Sequence, residues 1–247
     1  MDAVQKIEQV KHLPIKFGEV ARYVIVPGDP NRVPFIAESL ENVINQGQNR
    51  EFNAHKGTYK GIDVSVVSTG IGCPSTAIAV EELSHIGAEV FIRIGTSGSV
   101  DKSAKKGDIF IATAAVRDDG TSKQYIPIEF PAIASHNVVS NLIKASENLN
   151  IDSKVGICQS KDSFFGETEP ERMPVAPYLD FKWKSWQKGS VGASEMEAAT
   201  LFTISQIKRI EAGAILAIET SDKDTIKKMT EIVLESITYM EREKNVS

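Results

Sequence analysis

An arginine stands inside an apolar run, Val90-Phe91-Ile92-Arg93-Ile94, and Gly95-Thr96-Ser97-Gly98-Ser99 follows at once. Burying a guanidinium among β-branched side chains is costly unless it meets an anion. Two readings stay open for it: a structural arginine–carboxylate pair, or half of a phosphate site completed by Thr96 and free backbone N–H groups. A second arginine, Arg32, closes the turn Pro27-Gly28-Asp29-Pro30-Asn31. Gly28 would let the backbone approach a ligand, and Arg32 could offer a bidentate fork to an oxyanion. A tight turn with a surface arginine fits the same residues. The run Ser68-Thr69-Gly70-Ile71-Gly72-Cys73-Pro74-Ser75 opens a helix, where free N–H groups suit an anion or sugar, or simply a cap. Ser194-Glu195-Met196-Glu197 heads another helix. A carboxylate there can accept two sugar hydroxyls, or merely complement the helix dipole. No His or third acid has the spacing that would make Glu195 and Glu197 a metal pair. There is no GxxxxGK[ST], and no GxGxxG follows a strand.

Short, nearly continuous apolar runs must hold these residues: Tyr23–Val26, Val64–Ser68, Val90–Ile94, Ile109–Ala114 and Ala214–Ile218. Such runs fit strands covered on both faces. Helix-period segments lie between some of them, at Val33–Leu40, Ser75–Ile86, Ala198–Ile210 and Thr225–Glu243. The alternation predicts a single α/β domain over residues 1–247, with a mixed, largely parallel twisted sheet flanked by helices. Polar stretches at Lys102–Lys106 and Lys161–Arg172 read as long loops of the kind that cover sites.

The 247 residues are 41% apolar and 25% charged, with a formal net charge of −5 and no basic block, which argues against nucleic-acid binding. Cys73 and Cys158 lack ligand spacing and read as reduced, structural thiols. His55, His85 and His136 read as residues of a turn, a helix and a connection, without chemistry. FKWKSWQK, with Trp183 and Trp186, reads as an amphipathic helix packed on the core. No run approaches the roughly 18 apolar residues of a membrane span. The segment MDAVQKIEQVKHLP lacks the apolar core of a secretion signal, so a cytoplasmic location is expected, with no membrane partner.

Each feature alone is weak, but their order is not. PGDPNRV, NREF, STGIGCPSTAIAVEEL, IRIGTSGS, VRDDG and SEMEAATLF resemble the nucleoside phosphorylase-I family, in its uridine phosphorylase branch. The likeness runs from about His12 to about Ile218. It implies a pentosyltransferase that cleaves a ribonucleoside N-glycosidic bond with inorganic phosphate, without a cofactor. Arg93 and Glu197 would be the catalytic pair. Gly28, Arg32, Arg50, Arg93 and Thr96 would bind phosphate, Arg50 reaching into a neighbouring subunit's site. Glu197 would take the ribose hydroxyls, with Glu195 and Met196 beside it and Thr96, Ser97 and Gly98 along the nucleoside. His12 would be lent across a dimer to the 5′-hydroxyl, which implies a homo-oligomer, most simply a hexamer. Glu51, Ile71 and Ser75 fall where some relatives hold a monovalent cation at that interface.

Base recognition departs from the pattern. Phe164 would stack on the base and Arg172 would donate to a carbonyl. Glu167 stands where the family usually has Gln, and an ionised Glu can only accept. A purine nucleoside phosphorylase acting on 6-oxopurines is therefore the second reading, with Ser221-Asp222 as its acidic element. A nucleosidase would not need Arg32, Arg50 and Arg93, and a non-catalytic nucleoside binder would not need the phosphate set beside Glu197. The segment after Ile218 is short, so any flap over the base would be reduced.

Overall fold

A computed structural model describes residues 10–244. The first nine residues, on which the reading of the N-terminus partly rests, lie outside the described part. The first half of the chain forms β1 (Tyr23–Ile25), α1 (Arg32–Ala37), β2 (Glu41–Asn49), β3 (Phe52–Tyr59), β4 (Ile62–Val67), α2 (Cys73–His85), β5 (Val90–Ser99) and β6 (Ile109–Asp118). The second half forms α3 (Thr121–Tyr125), β7 (Ala132–Ile133), α4 (His136–Asn148), β8 (Ser153–Lys161), α5 (Phe164–Thr168), α6 (Ala176–Lys188), β9 (Val191–Glu195), α7 (Ala198–Lys208), β10 (Glu211–Ile218) and α8 (Lys223–Lys244).

All ten strands belong to one sheet, in the order β10-β6-β8-β9-β5-β1-β4-β3-β2, with β7 on β6. A further pairing of β10 with β5 makes the connections β5-β10-β6-β8-β9 return on themselves. The sheet is mixed rather than largely parallel. The pairs β1–β4, β1–β5, β5–β10, β6–β8 and β8–β9 run parallel. Antiparallel pairs are as frequent: β2–β3, β3–β4, β5–β9, β6–β7 and β6–β10. Most antiparallel pairs involve the hairpin strands β2 and β3 or the short β7 and β9, which lack the long apolar runs that mark doubly covered strands, while β6–β10 joins two apolar strands.

β5 sits between β1 and β10, and its first half is buried throughout, Arg93 included. Ile92, Ile94, Val66, Ile111 and Ile215 pack around it. α7 is buried on almost every side from Ala198 to Ser205, so its sequence carries little amphipathic contrast. α8 shows the opposite pattern. Its Ile226, Met229, Val233, Ile237 and Met240 form one buried stripe at helical spacing, each contributing about 1.5–3 kcal/mol by burial.

Several local expectations change. The stretch Lys161–Arg172 is not an open loop: Lys161 ends β8, then come α5 and a single 3₁₀ turn at Pro170–Arg172. α6, which contains FKWKSWQK, has no fully buried residue, so it lies over the surface instead of packing into the core. His55 lies in β3, not in a turn, and is buried, which holds its pKa below the ordinary value. His85 ends α2, and His136 begins α4. Cys73 and Cys158 are free and buried, and burial pushes both thiols up. Among the described residues, no helix is long and apolar enough to cross a membrane.

Candidate active site

Arg93 projects from β5 and remains almost wholly buried, at 4% exposure. Its Nε donates to Glu195 Oε2 at 2.9 Å, and its Nη2 donates to Glu197 Oε2. Nη1 is buried and has no hydrogen-bond partner among the described residues. Two nitrogens thus make the structural pair, and the third keeps its hydrogen-bonding capacity in a residue that lines a cavity. Burial alone would lower the Arg93 pKa, but Glu197 and Glu195 outweigh it and hold the group above its ordinary value. Gly95 is what admits the guanidinium, since a Cβ there would fall 2.7 Å from Nη2 and 2.8 Å from Cζ. A Cβ on Gly28 would fall 3.7 Å from Nη1, so the backbone after β1 comes close to the free donor.

The two acids have different duties. Glu195 Oε2 accepts from Arg93, from Glu197 N at 2.9 Å and from Ala198 N at 3.0 Å. Its Oε1 accepts from Ala198 N and from Ser160 Oγ. The carboxylate is engaged at the head of α7, where it positions Arg93 and the helix, and Glu195 also lines the cavity described below. Glu197 has one protein partner per oxygen, Gly72 N at 2.6 Å on Oε1 and Arg93 on Oε2. Lone pairs remain on both. Burial, opposed by Arg93 and reinforced by Glu195, raises the Glu197 pKa.

The residues after β1, β4, β8, β9 and β10, with the second half of β5, enclose a cavity of about 1060 Å³. Of the expected residues, Gly28, Arg32, Arg93, Thr96, Ser97, Gly98, Phe164, Glu167, Glu195, Met196 and Glu197 line it. Glu51, Ile71 and Ser75 do too, and Ser75 Oγ donates to Glu51 Oε1 at 2.7 Å, which helps hold that carboxyl below its usual range. Gly70 makes this contact possible, because it sits at φ +73° and a Cβ there would lie 2.6 Å from Glu51 Cγ. Arg32 shares the cavity with Arg93. Burial, opposed by Asp29 and reinforced by the like charge of Arg93, holds the Arg32 pKa below its ordinary value. Two guanidiniums facing one space is an arrangement that an anion relieves.

Several expected residues lie elsewhere. Arg172 is exposed, pairs with Glu169 and stacks over Phe165 at 5.9 Å, so it does not reach the cavity as expected. The 3₁₀ turn holds it outside. Arg50 is exposed in the turn between β2 and β3, and His12 Nδ1 is held by Glu82 Oε1 at 2.7 Å; neither lines this cavity. Asp222 also lies off the cavity. It accepts from Thr225 N at 2.9 Å and from the Thr220 and Thr225 hydroxyls, capping α8, whereas its neighbour Ser221 lines the cavity. Those hydrogen bonds push its pKa down to about 2. Arg117, in the VRDDG segment, donates to the carbonyls of Ser122, Ile126, Pro127 and Phe130 and serves to tie down that loop.

Sequence reasoning missed Lys161, Ser194 and Trp183, all on the cavity wall. Lys161 Nζ lies 2.8 Å from Glu167 Oε2 and donates to Ser194 Oγ at 2.8 Å. The Ser194 hydroxyl has Glu167 Oε2 and Gln159 Oε1 as acceptors, one proton serving one of them at a time. A lysine closing a strand that is otherwise half polar gave no periodic signal.

Residues 22–245 match the model of a family described as the phosphorylase superfamily. The chain belongs to that superfamily. It is similar to a uridine phosphorylase of Treponema pallidum (strain Nichols), 44% identical over 84% of this chain and 80% of the relative. A uridine phosphorylase of Thermococcus kodakarensis is also 44% identical, over 84% of this chain and 76% of its own length. A guanosine phosphorylase of Halorubrum lacusprofundi is 39% identical over 84% of this chain and 82% of its own.

Proposed function

We propose that this chain is a pentosyltransferase that cleaves the N-glycosidic bond of uridine with inorganic phosphate, releasing uracil and ribose 1-phosphate. The observation that carries the reading is the orphaned Nη1 of Arg93, beside Gly28, in a cavity that Arg93, Arg32, Gly28 and Thr96 line together. An anion there would gain charge-assisted hydrogen bonds from groups already oriented by Glu195 and Glu197. Glu197, with free lone pairs, would accept the ribose 2′- and 3′-hydroxyls, and Met196 would pack on the sugar. As the glycosidic bond stretches, the sugar becomes oxocarbenium-like. Phosphate held against that face stabilises the charge and then captures the anomeric carbon. Phe164 would stack on the base and Glu167 would accept a base N–H. The site needs no cofactor beyond the phosphate co-substrate.

Arg50 and His12 do not line the chain's own cavity, which leaves them for a neighbour's site in a dimer-based oligomer, most simply a hexamer. Glu51, Ile71 and Ser75 would flank a monovalent cation at that interface. A cytoplasmic location agrees with this chemistry. The second reading, a 6-oxopurine phosphorylase, draws support from Glu167 and from similarity to a guanosine phosphorylase.

Phosphate-dependent turnover of uridine, thymidine, inosine and adenosine, measured side by side, tests the assignment. Uridine should be the best substrate, and Arg93→Ala should lose most activity. Turnover that never requires phosphate sinks the proposal. The shared site predicts that mixing inactive Arg93→Ala and Arg50→Ala protomers restores some activity; a fully active monomer by sedimentation contradicts it.

A further inference from the structure

We infer that Glu82 is a positioning residue for His12: it fixes the imidazole with a proton on Nδ1 and presents Nε2 as the acceptor for a ribose 5′-hydroxyl in a neighbouring subunit's site. The inference rests on the phosphorylase reading above and on the loan of His12 to a neighbour.

Residues 11–14 form neither helix nor strand, so their backbone N–H groups need partners from elsewhere. Glu82, in α2 and 70 residues from His12, supplies them. Its Oε2 accepts from His12 N at 3.0 Å and from Leu13 N at 3.0 Å, and its Oε1 accepts from Lys11 N at 3.2 Å. The same Oε1 accepts from His12 Nδ1 at 2.7 Å. Three consecutive backbone donors and one ring nitrogen thus converge on a carboxylate whose side chain is 12% exposed. Burial alone would raise the Glu82 pKa, but these hydrogen bonds outweigh it and hold the group below its ordinary value. An ionised carboxylate can only accept, so Nδ1 must carry a proton. Nε2 has no hydrogen-bond partner among the described residues, and in the neutral imidazole it is an acceptor. Backbone donors alone would tether the segment; the ring contact also decides which edge of the imidazole is offered.

The surroundings place that edge at the rim of the cavity. Leu13 and Ile15 are buried in the core and anchor the chain that follows. Asn49 Nδ2 donates to His12 O at 2.8 Å, and Arg50 is the next residue. His12 and Arg50 therefore form one arm, and Glu51, on the cavity wall, lies within electrostatic reach of both. A two-fold contact across this rim sets the same patch of each copy against the other, which carries the arm to the other copy's site. There a 5′-hydroxyl donates to Nε2, and a nucleoside without that hydroxyl has nothing to donate.

Kinetics on uridine and 5′-deoxyuridine at saturating phosphate test this. Glu82→Ala should lower kcat/KM for uridine about 3- to 10-fold, as expected for one hydrogen bond, and leave 5′-deoxyuridine within about twofold. His12→Ala should do the same, and the double variant should be no worse than either alone. Glu82→Gln, which keeps one carbonyl acceptor, should fall between wild type and Glu82→Ala. Equal losses on both substrates show a merely structural role, and additive losses show that Glu82 does not act through His12; either result, or no loss, overturns the inference. Should Glu82→Ala fail to fold, Glu82→Gln decides on the same two substrates: a loss confined to uridine supports the role, and a loss on both refutes it. His12→Ala at the wild-type rate on uridine refutes it too, along with the loan of His12, while phosphorolysis stands. Wild-type protein with no phosphate-dependent cleavage of any nucleoside removes both readings.

Discussion

Adding one methyl group at Gly95 should disable the proposed phosphate site without removing a polar atom. A Cβ there would sit 2.7 Å from Arg93 Nη2, 2.8 Å from Cζ and 3.0 Å from Leu216 Cδ2. The end of an arginine usually swings away from such a clash, but this one is buried and held by Glu195 and Glu197. Moving it by several tenths of an ångström must weaken a hydrogen bond between charged groups, worth about 1.5–3 kcal/mol. At about 1.4 kcal/mol per decade, Gly95→Ala should lower kcat/KM for phosphate by roughly 10- to 100-fold. Initial rates against phosphate concentration at saturating uridine measure this, with thermal melting to confirm a folded protein. Arg93→Lys, which keeps the charge but loses the fork, should fall in the same range. A folded Gly95→Ala protein within about twofold of wild type would refute the packing argument. Recovery on adding Leu216→Ala would assign the damage to the aliphatic contact instead of Arg93.

Arg172→Ala should leave kcat/KM for uridine unchanged and stability within about 0.5 kcal/mol, because exposed pairs such as Arg172–Glu169 contribute little; a tenfold loss in activity would return Arg172 to the base site. Asp222 has a folded pKa of about 2, below its ordinary 3.8, so its cap on α8 is fully stabilising above the ordinary value and is lost as pH falls through the folded one. The melting temperature of wild type should therefore exceed that of Asp222→Asn by a constant margin near neutrality, and the margin should shrink between those two pH values. A margin independent of pH would show that the carboxylate's charge has no part in the cap.

The elements with one dominant pattern were legible from the chain alone. β1, β4, β5, β6 and β10 have runs of β-branched residues bounded by Gly or Pro, and α8 repeats its apolar residues at helical spacing. Those signals are local, because each side chain reports the face it must bury. The hairpin strands β2 and β3 were not legible, since β2 is mostly exposed and carries polar residues on both faces. α6 misled for a related reason: its tryptophans suggested a buried face, yet the helix rides above the core.

At the site, the family resemblance carried by the order of the motifs grouped Gly28, Arg32, Arg93, Thr96, Phe164, Glu167, Met196 and Glu197, and all of them line one cavity. Their types announce their chemistry: an arginine in an apolar strand or an acid pair at a helix head needs a reason to be there. What sequence could not determine was which polar groups spend their capacity on one another. Glu195 and Glu197 are indistinguishable as letters, but one is saturated by the N-terminus of α7 while the other keeps lone pairs free. Arg172 and Lys161 are both cations flanking the base segment, yet a 3₁₀ turn sends the first to solvent and the end of β8 sends the second inward. Hydrogen-bond saturation and burial depend on atoms far apart in the chain, Arg93 and Glu197 being 104 residues apart. Only the packed sheet brings them together.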